Sequence, residues 1–247
     1  MPRYFIEISY NGSCYSGWQN QPNAVTVQHT IEKCFSVIRQ KETSIVGAGR
    51  TDAGVHARRM VAHVDMEENI EEAKQIIKKL DRFLPKDISV YSIREVKDDA
   101  HARFDAISRS YKYYVSSLKD PFNQETVLKM YKPLDFVLMN DAAKYLLGKK
   151  DFTSFSKLHT DVKTNICNVR EAFWEKDENC NIWIFNITAD RFLRNMVRAI
   201  VGTLFLVGWR KISVNDFKEI IESKDRSKAG SSADAHALFL DKIIYPY

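Results

Sequence analysis

The order of predicted strands and helices in the first part of the chain is the strongest constraint on its fold. Alternating apolar and polar residues predict strands, and apolar residues at helical spacing predict helices. The predicted elements are, in order, a strand over 4–10, a helix over 26–40, a short strand at 45–46, a strand over 60–66, a helix over 71–83 and a strand over 88–93. This β-α-β-β-α-β order is the split βαβ pattern of ferredoxin-like units.

The second part of the chain repeats this order loosely. Its predicted elements are a strand over 111–115, a helix over 134–147 closed by Gly148, strands over 168–174 and 181–187, a helix from Asp190 to Leu206, a helix over 214–223 and a strand beginning at 238. We therefore expect an α+β protein of two related halves, 1–105 and 106–247, whose strands form one mixed, mainly antiparallel sheet with a central cleft. The polar residues 224–235 predict a surface loop.

Composition permits an anionic partner but does not require one. The 247 residues are 45% hydrophobic and 12% aromatic, with a net charge of +5 and a pI near 8.9. No apolar stretch has the length of a membrane span and no signal peptide precedes the first strand, so we expect a cytoplasmic protein. The four cysteines form no C-x-x-C pair, which disfavours zinc, and His56 and His63 are better explained as hydrogen-bonded structural residues than as metal ligands.

A glycine-rich stretch lies between two of the predicted strands. We call residues 47–57, GAGRTDAGVHA, the glycine loop; it contains three glycines together with Arg50 and Asp52. The dinucleotide fingerprint requires a glycine at position 52, and the phosphate-binding P-loop requires a lysine after Gly54, so neither nucleotide motif fits. From local sequence alone, a structural turn and a ligand-binding loop remain equally acceptable.

The glycine loop resembles the signature of the tRNA pseudouridine synthase A family. The resemblance implies that Asp52 is the catalytic residue, because the family's catalytic aspartate stands at that position of the motif. Further similar segments follow in the family's order and extend the resemblance over nearly the whole chain: 102–106, 111–113, 151–155 and 192–202. In the family a Gly-Trp-Gln segment lies beside the RNA-binding cleft; Trp18 here either has that place or packs under a loop.

Arg198 is the candidate partner of Asp52. In a helix beginning at Asp190, Arg191, Arg194 and Arg198 would fall within an arc of roughly 60° opposite a broad apolar face. A solvated basic edge is the ordinary interpretation of such an arc. Arg198, however, sits among apolar residues, where an unpaired charge is costly, and Gly202 one turn later permits close approach. The family's Met-Val-Arg pattern matches here and implies an active-site arginine, so we hypothesise that Arg198 pairs with Asp52.

Tyr111 and four arginines complete the candidate site. Strand alternation places Tyr111 and Tyr113 on one face, and this pattern fits two core tyrosines as well as it fits a functional tyrosine. The family's active-site tyrosine maps onto Tyr111. It would stack on an extruded base. A further group of basic residues would contact RNA phosphates: Arg50, Arg58, Arg59 and Arg103.

The resemblance implies an isomerase that converts uridine to pseudouridine at positions 38, 39 and 40 of the tRNA anticodon stem-loop. It implies base flipping, no cofactor, no metal and a homodimer. Two other classes fit parts of the sequence. A hydrolase of N-glycosidic bonds would need a second carboxylate or a metal-held water. A ferredoxin-like RNA-binding module without catalysis would need no Gly-Arg-Thr-Asp loop.

Overall fold

The computed structural model describes residues 1–157, 164–177 and 180–247. The chain divides into two compact units. The first contains Met1–Ile107 together with Leu240–Tyr247, and the second contains Ser108–Phe239. None of the helices in the described part of the chain combines the length and apolar character that a membrane span requires.

The first unit has the predicted split βαβ topology. Its elements are β1 (Arg3–Tyr10), α1 (Val27–Arg39), β2 (Val46–Gly47), β3 (His56–Asp65), α2 (Ile70–Phe83) and β4 (Ile88–Val96). The strand order is β4-β1-β3-β2, and every neighbouring pair is antiparallel. The α+β class and the ferredoxin-like order predicted for this part of the chain are confirmed.

Local capping explains why both helices of this unit were predicted within a few residues. The Thr26 side chain accepts a hydrogen bond from the His29 amide at the start of α1. Asn69 forms a capping box with Glu72 at the start of α2. Such caps satisfy backbone N–H groups that have no partner within the helix, so the start of a helix is encoded within one turn of sequence.

The second unit forms an antiparallel sheet in the order β5-β9-β8-β7, to which β6 adds parallel to β5. Its elements are β5 (Ser108–Ser116), β6 (Leu128–Lys129), α3 (Phe136–Ala143), β7 (Gly148–Asp151), β8 (Ile166–Lys176), β9 (Ile182–Ala189), α4 (Met196–Gly208) and α5 (Val214–Ser223). The last strand, β10 (Leu238–Ile244), begins in this unit and ends in the first. The short strands β6 and β7 were not predicted, and the helix predicted over 134–147 is α3 followed by a 3₁₀ turn, Lys144–Leu146.

The prediction that a helix begins at Asp190 is wrong. Strand β9 remains paired with β5 up to Ala189, opposite Arg109, so the chain must leave the sheet before it can coil. The Asp190 carboxylate accepts hydrogen bonds from the Asn168 amide at 2.8 Å and the Arg191 amide at 2.7 Å, which holds the turn. Helix α4 starts at Met196, after Asn195 at φ +66°. Arg191 and Arg194 therefore lie outside the helix, and the predicted basic arc does not exist.

The segment 224–235, predicted as a surface loop, also packs against the core at two positions. Residues 226–228 form a 3₁₀ turn, and Gly230 and Ala233 are buried. The Gly230 amide donates to the Thr203 hydroxyl at 2.9 Å. A Cβ on Gly202 would collide with the Ser231 carbonyl, so the glycine allows this segment to lie directly on α4. The close approach predicted at Gly202 is confirmed.

We expect Gly202→Ala to destabilise the protein by about 2 kcal/mol or more, because the atom that the new methyl meets belongs to backbone that cannot turn aside. Urea unfolding measures the change. Gly49→Ala is the matched control: nothing lies within 4 Å of its added Cβ, so its free energy of unfolding should change by less than about 1 kcal/mol. Equal stability of the two variants would contradict the packing described.

Candidate active site

The glycine loop is fixed to the sheet of the first unit at both ends. Val46 and Gly47 of β2 pair with His63 and Ala62 of β3, and the Ala48 amide donates to the Val61 carbonyl at 2.8 Å. The loop thus joins two neighbouring antiparallel strands, as predicted. At its tip the Val55 amide donates to the Asp52 carbonyl at 3.1 Å, closing a turn. Gly54 takes φ +76° there, in the region that favours glycine.

A second loop, residues 11–25, lies against the glycine loop, and we call it the supporting loop. The Trp18 amide donates to the Thr51 carbonyl at 3.3 Å, and the Gly54 amide donates to the Tyr15 carbonyl at 3.3 Å. The Tyr10 hydroxyl, at the end of β1, shares a 2.9 Å hydrogen bond with the Thr51 hydroxyl. The residues on both sides of Asp52 are therefore held by backbone and side-chain hydrogen bonds.

Close packing between the two loops depends on glycines. A Cβ on Gly12 would collide with the Val55 carbonyl, and one on Gly17, which has φ +88°, would collide with the Thr51 carbonyl. The Gly12 amide also donates to Nδ1 of the buried His56 at 3.0 Å. Sequence reasoning missed Gly12 as part of the site, and its signal is only that it follows Asn11 in a short polar turn. Gly17 was considered only as part of the Gly-Trp-Gln segment that the family resemblance implies lies beside the cleft.

Trp18 is packed under the glycine loop. Its side chain is 2% exposed, and its ring centroid lies 5.9 Å from that of Tyr10. A Cβ on Gly47 would overlap the Trp18 indole ring. Of the two predicted interpretations, burial of the tryptophan is the one observed, so Trp18 supports the loop from inside.

Asp52 itself is half-buried, between the buried Thr51 and the exposed Ala53. A carboxylate that is held by its neighbours and still reached by solvent can act on a bound sugar or base as nucleophile or base. Arg50 of the same loop is exposed. This arrangement supplies a positioned carboxylate and an accessible positive charge on one short segment.

A β-bulge exposes two further predicted arginines together. Strands β1 and β3 pair in register down to Ile8 opposite Met60, but Tyr10 stands opposite Ala57, so β3 contains one additional residue. Neighbouring strand residues normally point to opposite faces, yet Arg58 and Arg59 are both exposed. The bulge thus presents two adjacent cationic side chains.

Tyr111 and Tyr113 of β5 have different environments in the second unit. Tyr113 belongs to the core, and its hydroxyl donates to the Asp234 carbonyl at 3.0 Å. Burial raises its pKa above the ordinary tyrosine value, and the Asp234 carboxylate adds to that effect. Tyr111 is only half-buried, and its ring meets Phe192 edge to face at 5.1 Å between centroids. Tyr111 is therefore the accessible member of the pair.

Arg198 is the only charged residue in the sequence of α4 and lies in its first turn. Its Nε donates to the Ala233 carbonyl at 2.7 Å, and the Ala233 amide donates to the Arg198 carbonyl at 2.9 Å. The side chain is half-buried. These two bonds fix the direction of the guanidinium group and tie 230–233 to the start of the helix.

His63 and Arg103 belong to a separate cluster in the first unit. His63 of β3 is buried, and its Nδ1 accepts a hydrogen bond from the Ala102 amide at 3.2 Å. Arg103, the remaining predicted RNA contact, is exposed on the turn that follows Ala102. Within the described ranges, no three His, Cys, Asp or Glu side chains are grouped so that they could hold a metal ion.

The fold and site define an α+β protein with a carboxylate on a firmly held loop and exposed arginines in the same unit. A family model described as tRNA pseudouridine synthase matches residues 7–105 and 142–246. The tRNA pseudouridine synthase A of Porphyromonas gingivalis is 58% identical over 247 residues, covering 100% of this chain and 98% of the relative. The tRNA pseudouridine synthase A of Parabacteroides distasonis is 56% identical, and the match covers 100% of this chain and 97% of the relative. The tRNA pseudouridine synthase A of Clostridium acetobutylicum is 40% identical, and the match covers 97% of this chain and 98% of the relative. The chain belongs to the tRNA pseudouridine synthase family.

His63 should make stability depend on pH. Burial, followed by repulsion from Arg3 and His101, lowers its pKa from 6.5 to about 4, against weaker opposing effects of Asp65 and Asp105. Between these two values the unfolded chain binds a proton that the folded chain does not. The stability associated with His63 is therefore complete above pH 6.5 and decreases as the pH falls towards 4, by about 3 kcal/mol.

Urea unfolding at pH 7 and pH 4.5 measures this loss. The His63→Gln variant keeps an acceptor for the Ala102 amide but has no proton to gain, and every carboxylate titrates in both proteins. We expect the wild-type protein to lose about 2–3 kcal/mol more than the variant between these pH values. Equal losses would show that His63 is not held neutral by the fold.

Proposed function

We propose that this protein isomerises uridine to pseudouridine in tRNA, with Asp52 as the catalytic carboxylate. The observation that carries the proposal is the position of Asp52 within the Gly-Arg-Thr-Asp motif, half-exposed on a loop that the supporting loop holds on both sides. The relatives that are 58% and 56% identical over the whole chain are named tRNA pseudouridine synthase A. A rigid loop that presents one carboxylate agrees with a reaction that needs one carboxylate.

The reaction breaks the N1–C1′ glycosidic bond, rotates the uracil and joins C5 to C1′. The C5 hydrogen leaves as a proton and N1 gains a proton, so atoms and electrons balance without an oxidant, a reductant or an energy donor. Asp52 would attack C1′, add to C6 or remove the C2′ proton. Each of these steps needs an ionised, positioned carboxylate.

We assign further roles to two residues of the second half of the chain, 106–247, while the first half, 1–105, supplies the Asp52 loop. Tyr111 would stack on the extruded base, which its half-buried ring permits. Arg198 would keep Asp52 ionised and in place. The family's motif supports this assignment, together with the fixed direction of the one charged side chain that the apolar helix α4 contains.

The proposed substrate sites are uridines 38, 39 and 40 of the anticodon stem-loop. A stacked base must leave the helix to reach Asp52, at a cost of a few kcal/mol. Phosphate contacts would offset that cost, and the exposed arginines that we assign to them are Arg50, Arg58, Arg59 and Arg103. We propose that the protein acts in the cytoplasm as a homodimer on tRNA and without a cofactor.

A hydrolase is the less favoured function. It would need a second carboxylate near the first, and the acidic residues closest in the sequence after the loop are Asp65, Glu67 and Glu68. Each of them is engaged in an ion pair, with Arg3 at 2.7 Å, Lys41 at 2.8 Å and Arg39 at 2.8 Å respectively. These three carboxylates therefore stabilise other parts of the first unit, and this disfavours a role as the second carboxylate of a hydrolase.

Reaction with an unmodified tRNA transcript tests the function. Carbodiimide labelling followed by primer extension locates each pseudouridine by a stop one nucleotide to its 3′ side, and we expect stops that report pseudouridine at positions 38, 39 and 40 wherever the transcript has uridine there. A transcript with cytidine at those positions is the control and should give no stop. Release of free uracil would indicate the hydrolase, and binding without any modified base would indicate a binding module.

A further inference from the structure

The turn formed by residues 100–105, which we call the Arg103 turn, is held by hydrogen bonds both within itself and to other parts of the first unit. Its internal bonds run from the His101 amide to the Asp105 carboxylate at 2.7 Å and from the Arg103 amide to Nδ1 of His101 at 3.1 Å. The Asp105 amide also donates to the His101 carbonyl at 3.0 Å. The turn therefore has a defined shape of its own.

The sheet and the C-terminal residues of the first unit anchor the same turn from outside. His63 accepts from the Ala102 amide, and Arg3 donates to the Ala100 carbonyl at 2.9 Å. The Tyr245 hydroxyl donates to the Ala102 carbonyl at 2.5 Å, and the Tyr247 hydroxyl donates to the Asp105 carboxylate at 2.9 Å. These contacts come from three separate parts of the chain, so the turn is positioned as well as shaped.

The turn buries its alanine side chains and exposes the aromatic ring of Phe104. Ala100 and Ala102 of the turn are buried, as is Ala106 directly after it, whereas Phe104 is 73% exposed. Burying a phenylalanine contributes about 1.5–3 kcal/mol to stability, which this arrangement forgoes. The Arg103 guanidinium carbon lies 5.6 Å from the Phe104 ring centroid, and the His101 ring lies 4.3 Å from it. The exposed ring is thus oriented by its neighbours and accompanied by a cation.

We propose that the Arg103 turn is an RNA contact in which the Phe104 ring stacks on an unpaired base and Arg103 binds a neighbouring phosphate. This inference rests on the proposed function, since the base belongs to the tRNA. Proteins recognise single-stranded RNA by stacking bases on aromatic side chains, with arginines on the phosphates. A pre-shaped turn with an outward ring and an adjacent guanidinium matches both requirements, because little side-chain or backbone freedom is lost on binding.

Equilibrium binding of an unmodified, fluorescently labelled tRNA transcript tests this role. We expect Phe104→Ala to weaken binding roughly tenfold, in line with the stacking contribution of one base, and Phe104→Trp to stay within about twofold of wild type. Phe83→Ala is the matched control, because Phe83 ends α2 in the same unit and is 55% exposed. It should bind as the wild type does. Urea unfolding of Phe104→Ala should match the wild type, since the ring is exposed.

Four results would overturn the proposal. If Phe104→Ala binds tRNA as tightly as the wild-type protein, and the wild-type protein both binds and modifies tRNA, then the role of Phe104 alone is overturned. Equal losses in Phe104→Ala and Phe83→Ala would show a general effect of removing exposed rings. A change of oligomeric state in Phe104→Ala, measured by light scattering, with unchanged affinity would assign the surface to a second copy of the chain. A wild-type protein that neither binds nor modifies tRNA would overturn the proposed function as well.

Discussion

The hydrogen bonds between the supporting loop and the glycine loop are the interaction on which the candidate site depends. Without them, a segment with three glycines would sample many backbone conformations, and Asp52 would have no fixed position. The Trp18 amide and the Tyr10 hydroxyl both bind Thr51, the residue immediately before Asp52. Glycines at 12 and 17 let the loops approach until their backbones touch. The flexibility of the glycine loop is thereby converted into a single shape.

The second unit fixes Arg198 by a comparable device. Helix α4 is almost wholly apolar and buried, and because Gly202 has no side chain, residues 230–233 can pack directly against it. The Ala233 carbonyl of that segment accepts a hydrogen bond from the Arg198 Nε. In both units a glycine permits contact between backbones, and the contact orients a charged side chain nearby. Backbone irregularities also place the exposed arginines: the bulge in β3 places Arg58 and Arg59, and the Arg103 turn places Arg103.

The sequence predicts those parts of the fold whose causes are local. The bounds of α1, α2 and α5 follow from caps at Thr26, Asn69 and Ser213 that lie within one turn of the helix start. The error at 190–195 arose because pairing of β9 with β5 continues to Ala189, a tertiary effect that helical periodicity cannot reveal. Strands β6 and β7 have only two and four residues, too few for a pattern of alternating residues, and they form because they pair with neighbouring strands.

The candidate residues were found through the motif, whereas their supports were not. Asp52, Arg198 and Tyr111 stand at motif positions that a single sequence displays. Tyr10, Gly12 and Gly17 act through contacts with residues about 35 to 45 positions away in the sequence, and nothing near them in the chain announces those contacts. The direction of Arg58 and Arg59 depends on a bulge that only the pairing register shows.

Tritium release from a tRNA transcript that carries [5-³H]uridine tests the central claim most directly. Joining C5 to C1′ must displace the C5 hydrogen, whereas cutting the glycosidic bond alone need not. The account predicts release by the wild-type protein and by Asp98→Asn, an exposed carboxylate variant, and no release by Asp52→Asn at unchanged tRNA affinity. Undiminished release by Asp52→Asn would contradict the assignment of Asp52 as the catalytic carboxylate.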